Sequence, residues 1–121
     1  MKKRVLFVDD SPSIVQAAYD ELDARGYEVE VAYDGKEALE ILEQNVPDII
    51  ILDIEMPKMK GSEVAEKIRQ NPALSKIPLI ALSAVSPETL GEKAKYFDDY
   101  LIKPFGFDEM LNLVKEKIGD P

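Results

Sequence analysis

The sequence reads as an α/β domain of the doubly wound kind, a five-stranded parallel sheet in the order 2-1-3-4-5 flanked by five helices. Three observations carry that reading. Short, continuously apolar runs recur along the chain, VLFV (Val5 to Val8), IIIL (Ile49 to Leu52) and LIAL (Leu79 to Leu82), as central parallel strands covered on both faces require. Between them, apolar residues repeat at the three- and four-residue steps of amphipathic helices. The length, 121 residues, is that of one ordinary domain able to bury its own core, with no repeat, low-complexity tract or linker to divide it.

The first strand, VLFV, runs directly into Asp9 and Asp10. Ser11 before Pro12 marks the start of the first helix, whose stripe is Ile14, Ala18 and Leu22, and Gly26 stands where that helix should stop. EVEVA (Glu28 to Ala32) alternates instead of running apolar, which suits an edge strand with one face partly wet. Asp34, three residues ahead of Glu37, caps a second helix that carries Leu39 and Leu42. The third strand, IIIL, closes on Asp53, and Val64 with Ile68 mark the third helix. LIAL gives the fourth strand, ending at Ser83, and Ser86 before Pro87 opens the fourth helix. YLI (Tyr100 to Ile102) is the fifth strand, followed by Lys103, and Met110 with Val114 mark the last helix. Alternating strands and helices call for right-handed crossovers, and the edge character of the second strand favours the order 2-1-3-4-5. In that order the ligand crevice opens where strands 1 and 3 diverge, at their carboxyl ends.

The formal net charge is −9 at pH 7, which argues against a nucleic-acid surface, since that would need clustered Lys and Arg. No nucleic acid is therefore expected to bind this domain alone. Cysteine and histidine are absent, which removes disulfides, thiolate zinc sites, thiol nucleophiles and the commonest general base. A metal here must be a hard one held by oxygen. The basic start MKKR precedes an apolar run too short for a signal peptide or a membrane span, so a cytoplasmic protein without membrane association is expected.

Asp9, Asp10 and Asp53 close neighbouring strands, so three carboxylates should converge on one spot. They can stay ionised together only if a cation joins them, and all-oxygen ligands with room for water describe Mg²⁺ best. Ser83 and Lys103 project from the same sheet edge and offer a hydroxyl and a positive point charge to phosphoryl oxygens. A nucleophilic Asp, a divalent metal, a Lys and a hydroxyl are the parts that phosphoryl transfer needs. No P-loop or other Gly-rich cradle is present, so nucleotide binding is not indicated.

These residues fall in four motifs, VDD at 8 to 10, LDIEMPKMKG at 52 to 61, LSA at 82 to 84 and DDYLIKPF at 98 to 105, and together the sequence resembles the receiver domain of two-component response regulators. Each motif alone is weak; four in order, each at a strand end, are specific. The resemblance covers nearly the whole chain and implies a flavodoxin-like fold in which Asp53 accepts a phosphoryl group from a phosphohistidine. The donor would be a sensor histidine kinase or a phosphotransfer protein. It implies Mg²⁺ held by Asp10, Asp53 and the backbone carbonyl of Glu55, with Asp9 reaching the ion mainly through water. It implies that Lys103 contacts the acyl phosphate, that the Ser83 hydroxyl moves toward the phosphoryl group, and that the Tyr100 rotamer follows. It also implies a cis Lys103–Pro104 peptide, which the residues by themselves leave open.

Plainer readings stand beside these. Asp9 and Asp10 could be a cap and a solvated loop acid, but Ser11 already serves as a cap; Asp53 could be a turn residue before MPKMKG. Ser83 alone is as readily a strand-end hydrogen bond as a phosphate ligand, Lys103 alone a surface lysine, and Tyr100 a packing residue. Position relative to the acids tips Ser83 toward function, a place before Pro104 and after a short apolar strand does so for Lys103, and for Tyr100 the switch reading is set ahead of plain packing. Met56, Pro57 and Gly61 read as loop geometry, with Gly supplying torsions or close approach.

The match departs from the family pattern between Ser83 and Asp98, where the chain is slightly short and Tyr96 and Phe97 replace the common Gly-Ala. Gly91 also falls there and weakens a helix interior by up to about 1 kcal/mol. A short or mobile fourth helix is expected, with exposed aromatics that could form a partner-binding patch. Glu55 and Val85, each two residues past a site residue, are expected to shape water access to the acyl phosphate.

The expectation is a stand-alone receiver over residues 1–121 with no output domain after EKIGDP. It would be a phosphoacceptor switch that signals to a downstream protein target through helix 4, strand 5 and helix 5, with slow self-dephosphorylation and no other enzymatic activity. An aspartate-nucleophile phosphatase of the haloacid dehalogenase kind is the rival, but it wants a second acid two residues after the first, where Ser11 stands. A receiver-shaped module that is never phosphorylated is the other, and the intact acid set argues against it.

Overall fold

The computed structural model describes residues 2–121. Parallel strands β1 (Arg4–Val8), β2 (Glu28–Ala32), β3 (Ile49–Asp53), β4 (Leu79–Ser83) and β5 (Asp99–Ile102) form one sheet in the order β2-β1-β3-β4-β5. The crossovers are α1 (Pro12–Ala24), α2 (Gly35–Gln44), α3 (Gly61–Gln70) and α4 (Pro87–Leu90), and α5 (Phe107–Ile118) follows β5. The expected strand order and helix count are both met.

The continuous apolar runs are explained by the two cores. Alternate residues serve opposite faces: Leu6, Val8, Ile50, Leu52, Leu79 and Ala81 pack with α2 and α3, whereas Val5, Phe7, Ile49, Ile51, Ile80 and Leu82 pack with α1 and α5. Every residue of β3 and β4 is buried. β2 lies at the sheet edge, as its alternation implies, with Glu28 exposed and Val29 and Val31 partly buried.

Helix ends follow their local chemistry at the start of α2 and the end of α1, but Ser11 and Ser86 make no side-chain cap hydrogen bond. Asp34 accepts from the Glu37 amide at 2.8 Å, and Gly26 takes the left-handed φ of +99° just past α1. Ser11 occupies the N-cap position of α1 but its side chain caps nothing; its hydroxyl lies 3.2 Å from that of Ser13. Its amide instead donates to Asp9 Oδ1 at 2.9 Å, which ties the helix start to the tip of β1.

The fourth crossover is short, as expected: one helical turn, then a 3-10 segment over Gly91–Tyr96 that starts at the positive φ of Gly91, +59°. The exposed aromatic patch is not there. Phe97 is buried, 8% exposed, with its ring 6.2 Å from that of Tyr100, and Tyr96 is partly buried against the same core. The reason is Arg69 on α3, which donates to the carbonyls of Tyr96 (2.9 Å), Ser75 (2.9 Å) and Ile77 (2.8 Å) and to Asp98 Oδ2 (2.9 Å). One guanidinium thereby satisfies three backbone acceptors and draws the 3-10 segment down onto α3.

Arg69→Met keeps the aliphatic stem but strands those acceptors, so we expect a loss of about 2–4 kcal/mol in urea denaturation and faster amide exchange over residues 91–98. Unchanged stability and exchange would show that the segment is held by its aromatics alone.

Candidate functional site

Strand register sets the site. Val8 lies opposite Leu52 in β1 and β3, so the residues that follow, Asp9 and Asp53, leave the sheet side by side. Asp53 is paired with Leu82 and Ser83 with Ile102, which puts Ser83 and Lys103 each one step beyond their neighbour. The four side chains thus step across one sheet edge, at the crevice the strand order predicts.

Asp9 is fully buried, and Asp53 and Ser83 are each 1% exposed. The two buried carboxylates are built alike. Asp9 Oδ1 accepts from the Ser11 amide at 2.9 Å, and Asp53 Oδ1 accepts from the Glu55 amide at 3.0 Å. Their other oxygens face Lys103, whose Nζ is 3.2 Å from Asp53 Oδ2 and 3.0 Å from Asp9 Oδ2. One ammonium is thus shared between the two carboxylates, hydrogen-bonded to Asp53 and ion-paired with Asp9. Asp10 stands exposed at the mouth, and one oxygen from each of Asp9, Asp10 and Asp53 lies within 4.8 Å of the others.

One ammonium among these acids leaves the site short of positive charge. Burial, and then the neighbouring Asp9, push the Asp53 carboxyl up to about 6, against the Glu55 amide and Lys103, which favour its ionised form. For Lys103 burial disfavours the charged form, but Asp9 and Asp53 outweigh it and the net direction is upward. A single ammonium shared by two buried carboxylates, an all-oxygen donor set and unbalanced negative charge are what a hard divalent cation would satisfy, so the residues fit Mg²⁺.

The loop after β3 folds back on the site. Lys58 takes a positive φ of +69°, and the Gly61 amide donates to the Ile54 carbonyl at 2.9 Å. A Cβ at Gly61 would collide with the Asp53 carbonyl oxygen and come 2.6 Å from Ile54 Cα, so close approach requires glycine there. The Lys103–Pro104 peptide is cis.

Asp9, Asp10, Asp53 and Lys103 come together, and Glu55 joins them through its amide on Asp53 Oδ1, whereas the Ser83 and Tyr100 hydroxyls bond elsewhere. Ser83 Oγ donates to Glu55 Oε1 at 2.9 Å and accepts from the Val85 amide at 3.0 Å. The same Glu55 oxygen accepts from the Ala84 amide at 3.0 Å. Tyr100 lies farther off, with its hydroxyl donating to the Ala94 carbonyl in the 3-10 segment at 2.7 Å. The sequence places Glu55 near the site as an acid two residues past Asp53, but gives no signal for its side-chain contact with Ser83 and Ala84, which lie 28 and 29 residues away.

Known proteins match most of the chain. The family model for the response regulator receiver domain matches residues 5–115. The response regulator MprA of Mycobacterium sp. (strain KMS) is 39% identical over 114 residues, covering 92% of this chain and 48% of that protein. The chain spans about half the length of the curated relatives it matches. Among solved structures, the chemotaxis protein CheY4 of Vibrio cholerae superposes with a TM-score of 0.90 at 35% identity, covering 97% of this chain and 99% of that one. The response regulator TrrA of Thermotoga maritima, solved in complex with Mg²⁺-BeF, gives 0.85 at 39% identity, covering 94% and 97%.

The raised Asp53 pKa has a stability consequence. Its value rises from the ordinary 3.8 to about 6 in the folded state, so the folded protein binds that proton more tightly than the unfolded chain. The associated stability is fully present below pH 3.8 and is lost as pH rises through about 6. Asp53→Asn cannot ionise, so in metal-free buffer at pH 8 it should be more stable than wild type by roughly 2 kcal/mol, with the gap closing below pH 4, as read by urea denaturation.

Proposed function

The chain belongs to the response regulator receiver domain family, and from that premise we propose that it is a phosphoacceptor switch of a two-component system with Asp53 as the acceptor. The observation that carries this reading is the buried Asp53 carboxylate, hydrogen-bonded to Lys103 at 3.2 Å and set beside Asp9. An Asp53 oxygen would attack phosphorus, the N–P bond of a donor phosphohistidine would break, and an acyl phosphate would form on Asp53. The donor is a sensor histidine kinase or a phosphotransfer protein.

Asp10, Asp53 and the backbone carbonyl of Glu55 would hold Mg²⁺, with Asp9 beside them. Bound there, Mg²⁺ supplies charge neutralisation to the phosphoryl oxygens. Lys103 turns from its ion pair to the acyl phosphate and offsets the charge that Asp53 gains. Ser83 supplies a hydroxyl donor from the end of β4, and Glu55 and Val85 limit how water reaches the acyl phosphate. The chain is thus a signalling phosphoacceptor whose own chemistry is limited to phosphoryl transfer and slow self-dephosphorylation.

The switch reads out through α4, β5 and α5 to a downstream protein target. Tyr100 supports this face as the conformational reporter, because its hydroxyl donates to the Ala94 carbonyl and its ring packs near that of Phe97, at the end of the fourth crossover. A movement of Ser83 and the residues after it would alter that packing, and the ensemble would shift toward the state that satisfies the new dianion. Among the described residues no helix is long and apolar enough to cross a membrane, and we propose a cytoplasmic role that involves neither membrane nor nucleic acid.

Incubation with acetyl phosphate and Mg²⁺ should add one phosphoryl group to the intact mass of the wild type. Asp53→Asn should gain none, and Lys103→Ala should be phosphorylated at least tenfold more slowly, since it loses the cation that faces the acceptor. An adduct of equal size on Asp53→Asn would assign the acceptor elsewhere.

A further inference from the structure

The contact between Glu55 and the end of β4 goes beyond the acceptor chemistry. Glu55 Oε1 accepts at once from the Ser83 hydroxyl at 2.9 Å and from the Ala84 amide at 3.0 Å. A hydroxyl and an adjacent backbone N–H that converge on one anionic oxygen form an anion cradle. The cradle sits at the end of β4, next to Asp53 on β3, and a carboxylate of the chain itself fills it. We infer that Glu55 is a positioning residue that occupies the Ser83 and Ala84 donors in the unphosphorylated protein and must be displaced by a phosphoryl oxygen on Asp53. The inference rests on the phosphoacceptor reading above.

Stoichiometry of protons makes the two occupants exclusive. Ser83 Oγ already accepts from the Val85 amide at 3.0 Å, so its single proton is directed at Glu55, and the Ala84 N–H likewise has one proton to give. A phosphoryl oxygen can take neither donor while Glu55 holds both. The displaced group loses little, because Glu55 is exposed and its carboxylate has water available once it swings out. Like-charge repulsion from a dianion on Asp53 drives the same exchange.

The anchoring of Glu55 couples the two positions. Its amide donates to Asp53 Oδ1 at 3.0 Å while its side chain reaches Ser83, so one residue touches both the acceptor and the cradle. Release of the cradle frees Ser83 to Ser86, the segment that leads into α4 and the 3-10 turn held by Tyr100. The resting state is therefore held by a bond of its own, and phosphorylation exchanges one anion for another at the same donors.

The test uses beryllofluoride as the phosphoryl stand-in, at saturating Mg²⁺, with wild type, Glu55→Ala, Glu55→Gln, Ser83→Ala and the Glu55→Ala/Ser83→Ala double variant. Without Mg²⁺ or beryllofluoride, the Ala84 amide resonance should move in Glu55→Ala and less in Glu55→Gln, which keeps an acceptor oxygen. Glu55→Ala should lower the half-saturating beryllofluoride concentration by roughly threefold to tenfold, the scale of losing a competitor for two hydrogen bonds at a wet site. That gain should shrink clearly in the Ser83→Ala background, where one contested donor is gone. An unmoved Ala84 resonance, or the same gain with and without the Ser83 hydroxyl, would reduce Glu55 to a repelling charge and overturn the inference alone. Failure of every protein to bind beryllofluoride while folded would overturn the phosphoacceptor reading and this inference with it.

Discussion

Two carboxylates held out of water with one ammonium between them constrain everything else at this sheet edge. Asp9 and Asp53 sit at the ends of adjacent strands, where the register gives them no freedom to separate. Burial and mutual repulsion push Asp53 toward its neutral form, and Lys103 opposes this from the next strand but one. The folded state therefore carries an electrostatic cost that a more apolar sequence would avoid. That cost is also the source of chemistry, since a site short of positive charge attracts a divalent cation and places a nucleophilic oxygen next to it.

The surrounding structure is arranged around holding that geometry. Amides two residues past each acid fix one oxygen of each carboxylate and leave the other toward Lys103. Gly61 lets the loop after β3 close against the Asp53 carbonyl, which any side chain there would push away. Arg69 and the Phe97–Tyr100 pair hold the short fourth crossover against α3 and the core beneath it. Ser83 lies between the acid cluster and the start of the crossover, so a change in what Ser83 bonds to is a direct way for one to affect the other.

Most of the fold was legible because it obeys period and burial. Runs such as VLFV and IIIL are apolar throughout because alternate residues serve two separate cores, and the edge strand betrayed itself by alternating. The acids and Lys103 were legible because each ends a strand, and topology alone brings those ends together. What escaped depends on contacts between distant residues. Ser11 has the sequence signature of a cap, yet its amide serves Asp9 and its hydroxyl caps nothing. Phe97 looked exposed in a truncated helix and is buried, because Arg69 on another helix takes the Tyr96 carbonyl. The Glu55 side chain had no local signal for its partners on β4.

The central claim is that unbalanced negative charge at Asp9, Asp10 and Asp53 makes this edge a divalent-cation site built around Asp53. Melting temperature as a function of Mg²⁺ concentration at pH 8 tests it most directly, with Asp53→Asn measured in parallel. The account predicts that the wild type rises by several degrees and continues to climb with the logarithm of Mg²⁺ beyond half-saturation, while Asp53→Asn loses most of that response. A wild-type melting temperature indifferent to Mg²⁺, or an equal rise in both proteins, would contradict it.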